Sequence, residues 1–300
     1  MLRRTRPIMF HDAACPDFIA YLDLRQAIFH HEFFLEYQPK VSLDSGLVEG
    51  VEALVRWNHK KLGRIEPDAF IPRLERTNLI QHLTWIVLDQ AVERCAALQE
   101  QGVLFGVAVN VSPAAVTGIL PDRVDAVLEK HSLNPHWLTL EVTQSMPFEN
   151  LARAHSILNA IHARGVNLSL DDFGTGYASV AQLQSFHFDE VKIDRMFVAH
   201  AKSSERDAAI VRSLTELGRV LGMRVVAEGV ENPKTLKLID SMGVDAAQGD
   251  YLAPALHPGD LLVEFPGITE KVRARLGPRV LDLRAKEAEV SSRAKDRSWA

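Results

Sequence analysis

Short β-rich runs alternate with helix-length stretches along most of this chain, and this alternation restricts the possible folds more than any other feature. Eight such runs occur, at residues 33–41, 48–57, 104–112, 137–143, 166–172, 189–194, 223–230 and 245–249. From the second run onward they are separated by stretches such as 78–101 and 205–222, the first of which has apolar residues at helical spacing. Repeated strand-then-helix units predict a parallel sheet with helices outside it. Eight strands in this length favour a closed (β/α)₈ barrel over an open doubly wound sheet.

The connection between the first two runs breaks the alternation. Only SLDSG, residues 42–46, joins them, and this segment is too short for a crossover helix. The pair is therefore predicted to form an antiparallel hairpin. The predicted fold class is α/β, a modified barrel with an antiparallel first strand.

The composition is typical of a soluble globular protein, with 47% hydrophobic and 24% charged residues among 300. A net charge of −5 argues against a broad DNA-binding surface, although a local basic pocket could hold a phosphorylated small molecule. The two cysteines, Cys15 and Cys95, lie in no CxxC pattern and fit a reducing, cytoplasmic location. No apolar run is long enough to span a bilayer, so direct membrane insertion is not expected.

The two ends of the chain differ from its middle. Residues 1–20 lack sustained periodicity and contain two prolines, which is typical of a leader or of a linker from an upstream sensory or regulatory module. Residues 266–300 have alternating charges and predict a solvated helix that ends in a tail. Residues 21–265 remain for the barrel.

Polar side chains interrupt seven successive predicted strands. They are Glu52, Asn110, Glu141, the pair Asp171 and Asp172, Lys192, Glu228 and Gln248. Burying such groups in apolar strands is costly unless they are paired or bind a metal. Catalytic groups in barrels of this kind project from the C-terminal ends of the strands. We therefore expect these residues to meet at one polar mouth.

The stretch DDFGTGYAS, residues 171–179, places two carboxylates before a glycine-rich segment. Alone, the pattern favours a turn capped by Asp, and the aspartates would repel the pyrophosphate that a dinucleotide-binding glycine loop holds. Together with Glu52, Asn110 and Glu141 it indicates an all-oxygen site for Mg²⁺ or Mn²⁺ rather than a zinc site. Adjacent carboxylates can contact two ions about 3.5–4 Å apart, as in enzymes that cleave phosphate esters. The glycines would allow a mobile loop over such a site.

Short strings between about residues 22 and 260 form an ordered motif series. They are EALVRW (52–57), VNVS (109–112), EVT (141–143), DDFGTGYAS (171–179), KID (192–194), AEGVE (227–231) and QG (248–249), with YQPK (37–40) and PDAFIPRLE (67–75) upstream. This series resembles that of the EAL-domain family. The resemblance implies a TIM-like barrel with one antiparallel strand. It also implies a hydrolase, a phosphodiesterase that opens cyclic di-GMP to linear pGpG with two Mg²⁺ or Mn²⁺ ions.

The same resemblance assigns roles to individual residues. The first metal would be held by Glu52, Asn110, Glu141 and Asp171, and the second by Asp171 and Asp172. Glu228 would assist through water, Lys192 would contact the attacking water or the phosphate, and Gln248 would orient metal-bound water. The substrate would be contacted by Gln38, Leu54 and Arg56. The loop over the site would comprise Phe173, Gly174, Thr175, Gly176, Tyr177 and Ser179, tethered by Gln144.

The sequence departs from the family pattern in two places. Gln144 stands where the family usually has the glutamate that tethers the loop, and Asp250 and Pro254 replace an aromatic and a basic residue. An added acid near the pocket would weaken the binding of an anionic substrate. The alternative is therefore a catalytically weak or inactive receptor that binds cyclic di-GMP and signals to a partner. A barrel acting on another phosphate ester is a third possibility, because fold does not fix function.

The resemblance also predicts assembly. Family members often pair through the barrel face near the loop that follows the two aspartates, so a homodimer is expected. Regulation would come from an upstream module, from dimerisation or from a partner.

Overall fold

The structure of the protein is a computed structural model that describes residues 19–143, 150–174 and 186–277. Its strands are β1 (Phe33–Ser42), β2 (Val48–His59), β3 (Gly63–Ile65), β4 (Gly106–Val111), β5 (Leu138–Thr143), β6 (Asn167–Phe173), β7 (Glu190–Ile193), β8 (Arg224–Ala227) and β9 (Ala246–Ala247). Its α-helices are α1 (Tyr21–Phe29), α2 (Pro67–Glu75), α3 (Leu79–Gln99), α4 (Leu120–His131), α5 (Leu151–His162), α6 (Arg195–His200), α7 (Glu205–Val220), α8 (Pro233–Ser241) and α9 (Leu261–Leu276).

Eight of these strands close into a barrel in the order β1, β9, β8, β7, β6, β5, β4, β2, with β1 pairing back to β2. β1 is antiparallel to both of its neighbours, and the other barrel pairings are parallel. The predicted modified barrel with an antiparallel first strand is confirmed.

The predicted hairpin between β1 and β2 forms as the short connection requires. Its turn contains Gly46 at φ +68°, a backbone conformation that a side chain disfavours. Arg273 of α9 covers this turn, since its Nε donates to the Ser45 carbonyl at 3.1 Å. Ile268 and Val272 of α9 are also buried. Helix α9 therefore crosses the predicted boundary at residue 266 while still packing against the barrel.

Strand β3 was not expected from the sequence. Its three residues pair antiparallel with the end of β2, from Trp57 opposite Ile65 to His59 opposite Gly63. A strand this short has too few residues to show alternation. Strand β3 carries Arg64 to the mouth of the barrel.

Helices cover the barrel as predicted. Helix α3 lies within the predicted stretch 78–101 and buries Leu83, Val87 and Ala91 at helical spacing. Helix α7 lies within the predicted stretch 205–222. None of the helices in the described ranges combines the length and apolar character needed to cross a membrane.

Candidate active site

The ammonium group of Lys192 lies at the centre of a carboxylate cluster inside the barrel. Its Nζ is 2.6 Å from Glu228 Oε1, 2.7 Å from Glu141 Oε2, 3.0 Å from Glu52 Oε2 and 3.4 Å from Asp171 Oδ1. The Lys192 side chain is only 1% exposed. Charged groups from β2, β5, β6, β7 and the residue after β8 thus meet at one point, as the sequence predicts.

The positions of these residues follow from strand geometry. Parallel strands bring the same ends together, and the pairing of β4 with β5 sets Asn110 opposite Glu141. Glu228 and Gln248 lie just past β8 and β9, rather than within strands as predicted. Their backbone amides still bond to the adjacent strands, Glu228 to the Ile193 carbonyl and Gln248 to the Ala227 carbonyl. These bonds hold both residues at the mouth.

Glu52 accepts three hydrogen bonds. Asn110 Nδ2 donates to its Oε1 at 2.6 Å, while Gln248 Nε2 donates to its Oε2 at 2.7 Å and Lys192 Nζ at 3.0 Å. Burial would raise the pKa of Glu52, but the charge of Lys192 and these donors outweigh it and lower the pKa. This carboxylate is therefore held ionised.

The pKa of Glu141 shifts in the opposite direction to that of Glu52. Burial, reinforced by the charges of Glu52 and Asp171, raises its pKa well above the usual range despite the attraction of Lys192. Burial would lower the pKa of Lys192, yet the surrounding carboxylates raise it well above its usual range. The lysine therefore remains a cation.

Asp171 and Asp172 reach the same side of the sheet because of a backbone irregularity. Successive side chains of a regular strand point to opposite faces. Here the register of β6 against β7 shifts between Leu170 and Phe173, and Asp172 has φ +57°. As a result, carboxylate oxygens of Asp171, Asp172 and Glu228 all lie within 4.8 Å of one another.

Burial raises the pKa values of Asp172 and Glu228, two of these three carboxylates. Burial and the neighbouring carboxylates of Asp171 and Asp194 raise the pKa of Asp172 to about 7. Burial also raises the pKa of Glu228 to about 8, because the attraction of Lys192 offsets it only in part. Both groups would therefore take up or release protons near neutral pH.

The donor set fits hard divalent cations. The cluster consists of Glu52, Glu141, Asp171 and Glu228 around the ammonium of Lys192, with Asp172 beside Asp171 and Glu228 and the Asn110 amide beside Glu52. Carboxylate and amide oxygens suit Mg²⁺, Mn²⁺ or Ca²⁺. The excess of negative charge would be reduced by such ions.

The cluster opens into a cavity of about 520 Å³ at the barrel mouth. Of the predicted residues, Gln38, Glu52, Leu54, Arg56, Asp171, Glu228, Gln248, Asp250 and Pro254 line this cavity. It is also lined by Glu36, Arg64, Arg195, Gly229, Glu231, Gly249 and Ala255. The cavity therefore joins the carboxylates to several arginines.

Gln38 links the cluster to the Asp250 side of the cavity. Gln248 Nε2 donates to Gln38 Oε1 at 2.8 Å, and Gln38 Nε2 lies 3.4 Å from Asp250 Oδ1. The departure at residue 250 thus lies beside a predicted substrate contact.

The guanidinium of Arg56 contacts two carboxylates. Its Nε lies 3.0 Å from Glu36 Oε2 and 3.4 Å from Glu66 Oε2. Arg64 of β3 binds the same two carboxylates. Both arginines therefore face the cavity with their charges largely balanced.

The structure describes two residues of the predicted loop, Phe173 and Gly174. Phe173 is the last residue of β6 and is buried, because β6 still pairs with β7 at this point through Ile193. The assignment of Phe173 to a mobile loop was therefore wrong. Gly174 has φ +102°, and a Cβ there would lie 2.8 Å from the Phe197 ring. Gln144, Thr175, Gly176, Tyr177 and Ser179 lie outside the described residues.

A family model described as EAL domain matches residues 22–255. The chain belongs to the EAL-domain family. The bifunctional diguanylate cyclase/cyclic di-GMP phosphodiesterase MucR of Pseudomonas aeruginosa is 39% identical over 80% of this chain and 35% of its own length. The cyclic di-GMP phosphodiesterase RocR of the same organism is 34% identical over 77% of this chain and 59% of its own length. This EAL domain thus spans only part of these relatives.

The fold is also shared with solved EAL-domain structures. The PaMucR phosphodiesterase in complex with c-di-GMP is 38% identical, with a TM-score of 0.76, and the match covers 80% of this chain and 98% of that one. The Xanthomonas citri FimX EAL domain in complex with c-diGMP is 26% identical, with a TM-score of 0.72, over 79% of this chain and 93% of that one.

Several residues at the EAL-domain mouth were not assigned roles from the sequence. Asp194 hydrogen-bonds to Asp172, and it follows Lys192 within the same KID motif. Arg195 follows directly, and only its nearness to that motif could have indicated a site. Glu36 and Arg64 carry no comparable signal, because their approach to Arg56 depends on the pairing of β2 with both β1 and β3.

Proposed function

We propose that this EAL domain is a metal-dependent phosphodiesterase that hydrolyses cyclic di-GMP to linear pGpG. The observation that carries the proposal is the cluster of Lys192 and four contacting carboxylates that opens into an arginine-lined cavity. The names of MucR and RocR and the c-di-GMP complex of PaMucR support this choice of substrate. A phosphodiester is an anion, and hydrolysing it beside so many carboxylates requires added positive charge.

Two divalent ions would supply that charge. Glu52, Asn110, Glu141 and Asp171 would hold one ion, and Asp171 and Asp172 the other, with Glu228 assisting through water. When bound, such ions neutralise phosphate oxygens and lower the pKa of a water molecule. Mg²⁺ and Mn²⁺ both suit this oxygen donor set.

Three side chains of the protein would act on the phosphate and on a water molecule. Lys192 supplies a permanent ammonium that stabilises charge growing on the phosphate oxygens. Gln248 is fixed between Gln38 and Glu52 and can orient a water molecule by its amide. Arg56, held by Glu36 and Glu66, presents its guanidinium to a phosphate.

The deciding experiment is hydrolysis of cyclic di-GMP by the purified chain with Mg²⁺, Mn²⁺ or Ca²⁺, with pGpG followed by chromatography. We expect metal-dependent pGpG that disappears in Asp172→Asn, which keeps the size of the side chain but removes its charge. Glu52→Ala and Asp171→Asn should also abolish turnover. Near-normal activity in either variant would overturn the two-metal assignment. Tight binding without pGpG would identify a receptor instead.

We also propose that the domain forms a homodimer and works in the cytoplasm. A free, buried thiol at Cys95 is compatible with a reducing compartment. Light scattering on the purified chain tests the assembly, and a single monomeric species at assay concentrations would contradict it.

A further inference from the structure

Arg195 is a cavity-lining cation with no assigned role. It is the first residue of α6 and follows β7 and Asp194 directly. Its side chain is exposed at the cavity. Within the described residues it makes no ion pair and no hydrogen bond through its side chain.

The other two arginines of the cavity differ in this respect. Arg56 and Arg64 both contact Glu36 and Glu66. An anionic ligand that approaches them must compete with those carboxylates. Among the described residues, no carboxylate competes with a ligand for the Arg195 guanidinium.

The barrel places Arg195 on the side of the mouth opposite to Arg56. In the closed order of eight strands, β7 is four strands away from β2 in either direction. Arg56 lies on β2, and Arg195 follows β7. The Lys192 cluster lies inside the barrel between these two sides, so the cavity has a cation at each edge and the carboxylates within.

Gly229 shapes the backbone around Arg195. It also lines the cavity, and it has φ +64°. A Cβ at this position would lie 2.4 Å from the Cβ of Arg195 and 3.1 Å from its Cα. A Cβ contact of 2.4 Å is essentially never seen, so the absence of a side chain at residue 229 lets the chain close against Arg195. The base of the arginine is therefore fixed at the rim.

We propose that Arg195 is a substrate-binding residue that holds the phosphate of the cyclic dinucleotide that is not cut. This inference rests on the proposed function. A cyclic dinucleotide has two phosphodiesters on opposite sides of its ring, and only one can lie at the Lys192 cluster at a time. A guanidinium matches a phosphate with two parallel hydrogen bonds. Arg195 thus orients the ring and selects a substrate with two phosphates over one with a single phosphate.

The test compares Arg195→Gln with the matched control Arg206→Gln, an exposed arginine of α7 that does not line the cavity. Two probes are used, cyclic di-GMP with two phosphates and bis(p-nitrophenyl) phosphate with one. For Arg195→Gln we expect Kd and KM for cyclic di-GMP to rise about 10- to 100-fold, as for loss of a hydrogen-bonded charge. The kinetic constants for bis(p-nitrophenyl) phosphate should stay within about twofold. Arg195→Lys keeps the charge but loses the geometry for two parallel hydrogen bonds. Its Kd and KM for cyclic di-GMP should therefore lie between those of wild type and Arg195→Gln. The control should match wild type throughout.

Equal losses on both probes would show a general disturbance of the site and would overturn the proposal, as would an unchanged Kd for cyclic di-GMP. Kd is measured by calorimetry with Ca²⁺, independently of turnover. A wild-type chain that binds cyclic di-GMP without cleaving it would contradict the proposed function alone, because the comparison of Kd between wild type, Arg195→Gln and Arg206→Gln does not need turnover. A wild-type chain that binds no cyclic di-GMP would overturn both.

Discussion

Lys192 Nζ and Glu141 Oε2 lie 2.7 Å apart, and each of the two side chains is only 1% exposed. Removing charges from water is costly, and the attraction of one ammonium must offset this cost for several carboxylates at once. The same cluster is the proposed metal site. Stability and ion binding should therefore be coupled in this protein.

Replacing Lys192 by Met should destabilise the metal-free protein. The change leaves Glu52 and Glu141 buried without their cation, and breaking a buried pair in this way costs about 3–5 kcal/mol. Excess Mg²⁺ should restore part of that loss, because an added cation takes over the neutralising role. The measurement is urea unfolding of wild type and variant, with chelator and with Mg²⁺.

Lys40→Met is the matched control. Lys40 Nζ lies 2.7 Å from Glu190 Oε2, and both groups are buried inside the barrel without lining the cavity. This variant should also lose stability, but Mg²⁺ should not restore it. Equal recovery of the two variants would contradict the link between Lys192 and the metal site.

Stability of the metal-free protein should fall as pH rises from about 6 to about 9. Burial raises the pKa of Glu228 to about 8, and burial with nearby carboxylates raises that of Asp172 to about 7. Both values lie above those of an unfolded chain, so the folded state binds more protons in this window. The stabilisation is complete below the unfolded pKa values and is lost as pH rises through the folded ones.

Metal binding should show the opposite trend. Protons compete with cations for these carboxylates, so the apparent affinity for Mg²⁺ should increase over the same pH range. Calorimetric titrations in buffers of different ionisation enthalpy would detect the released protons. Glu228→Gln should weaken both pH trends. A variant that retains them in full would exclude Glu228 as their source.

The inward-facing polar residues could be predicted from the sequence because strand alternation and motif order both point to them. Glu52, Glu141, Asp171 and Lys192 lie within strands, and the parallel register of the barrel brings their ends together. The short β1–β2 connection also allowed the antiparallel hairpin to be predicted, because five residues are too few for a crossover helix.

Features set by long-range pairing could not be predicted. Arg64 reaches the cavity because β3 folds back on β2, and Arg56 is partly neutralised because the pairing of β1 with β2 sets Glu36 opposite Leu54, within 3.0 Å of the Arg56 guanidinium. The convergence of Asp171 with Asp172 depends on the register shift against β7, which local sequence does not specify. Arg195 directly follows the KID motif, but its place across the mouth from Arg56 depends on the closure of the barrel.

Asp250→Asn should strengthen binding of cyclic di-GMP. Asp250 lines the cavity, and its Oδ1 lies 3.4 Å from Gln38 Nε2, a contact that an Asn oxygen can keep. Removing one negative charge from an exposed rim position should lower Kd and KM about two- to fivefold at low salt. Asp122→Asn, on the exposed side of α4, changes the net charge equally far from the cavity. A similar gain in both variants would show an effect of overall charge only.

Gly229→Ala should damage both stability and substrate binding, whereas Gly222→Ala should affect stability alone. Both glycines have positive φ, +64° and +74°, so each alanine pays about 1–2 kcal/mol of backbone strain. A Cβ at residue 222 meets nothing within 4 Å, but at residue 229 it would lie 2.4 Å from Arg195 Cβ. The clash should remove about 1–3 kcal/mol more from the free energy of unfolding.

Because the clash also displaces Arg195, KM for cyclic di-GMP should rise in Gly229→Ala only. Urea unfolding and steady-state kinetics measure both effects, and equal behaviour of the two variants would show that the contact with Arg195 is unimportant.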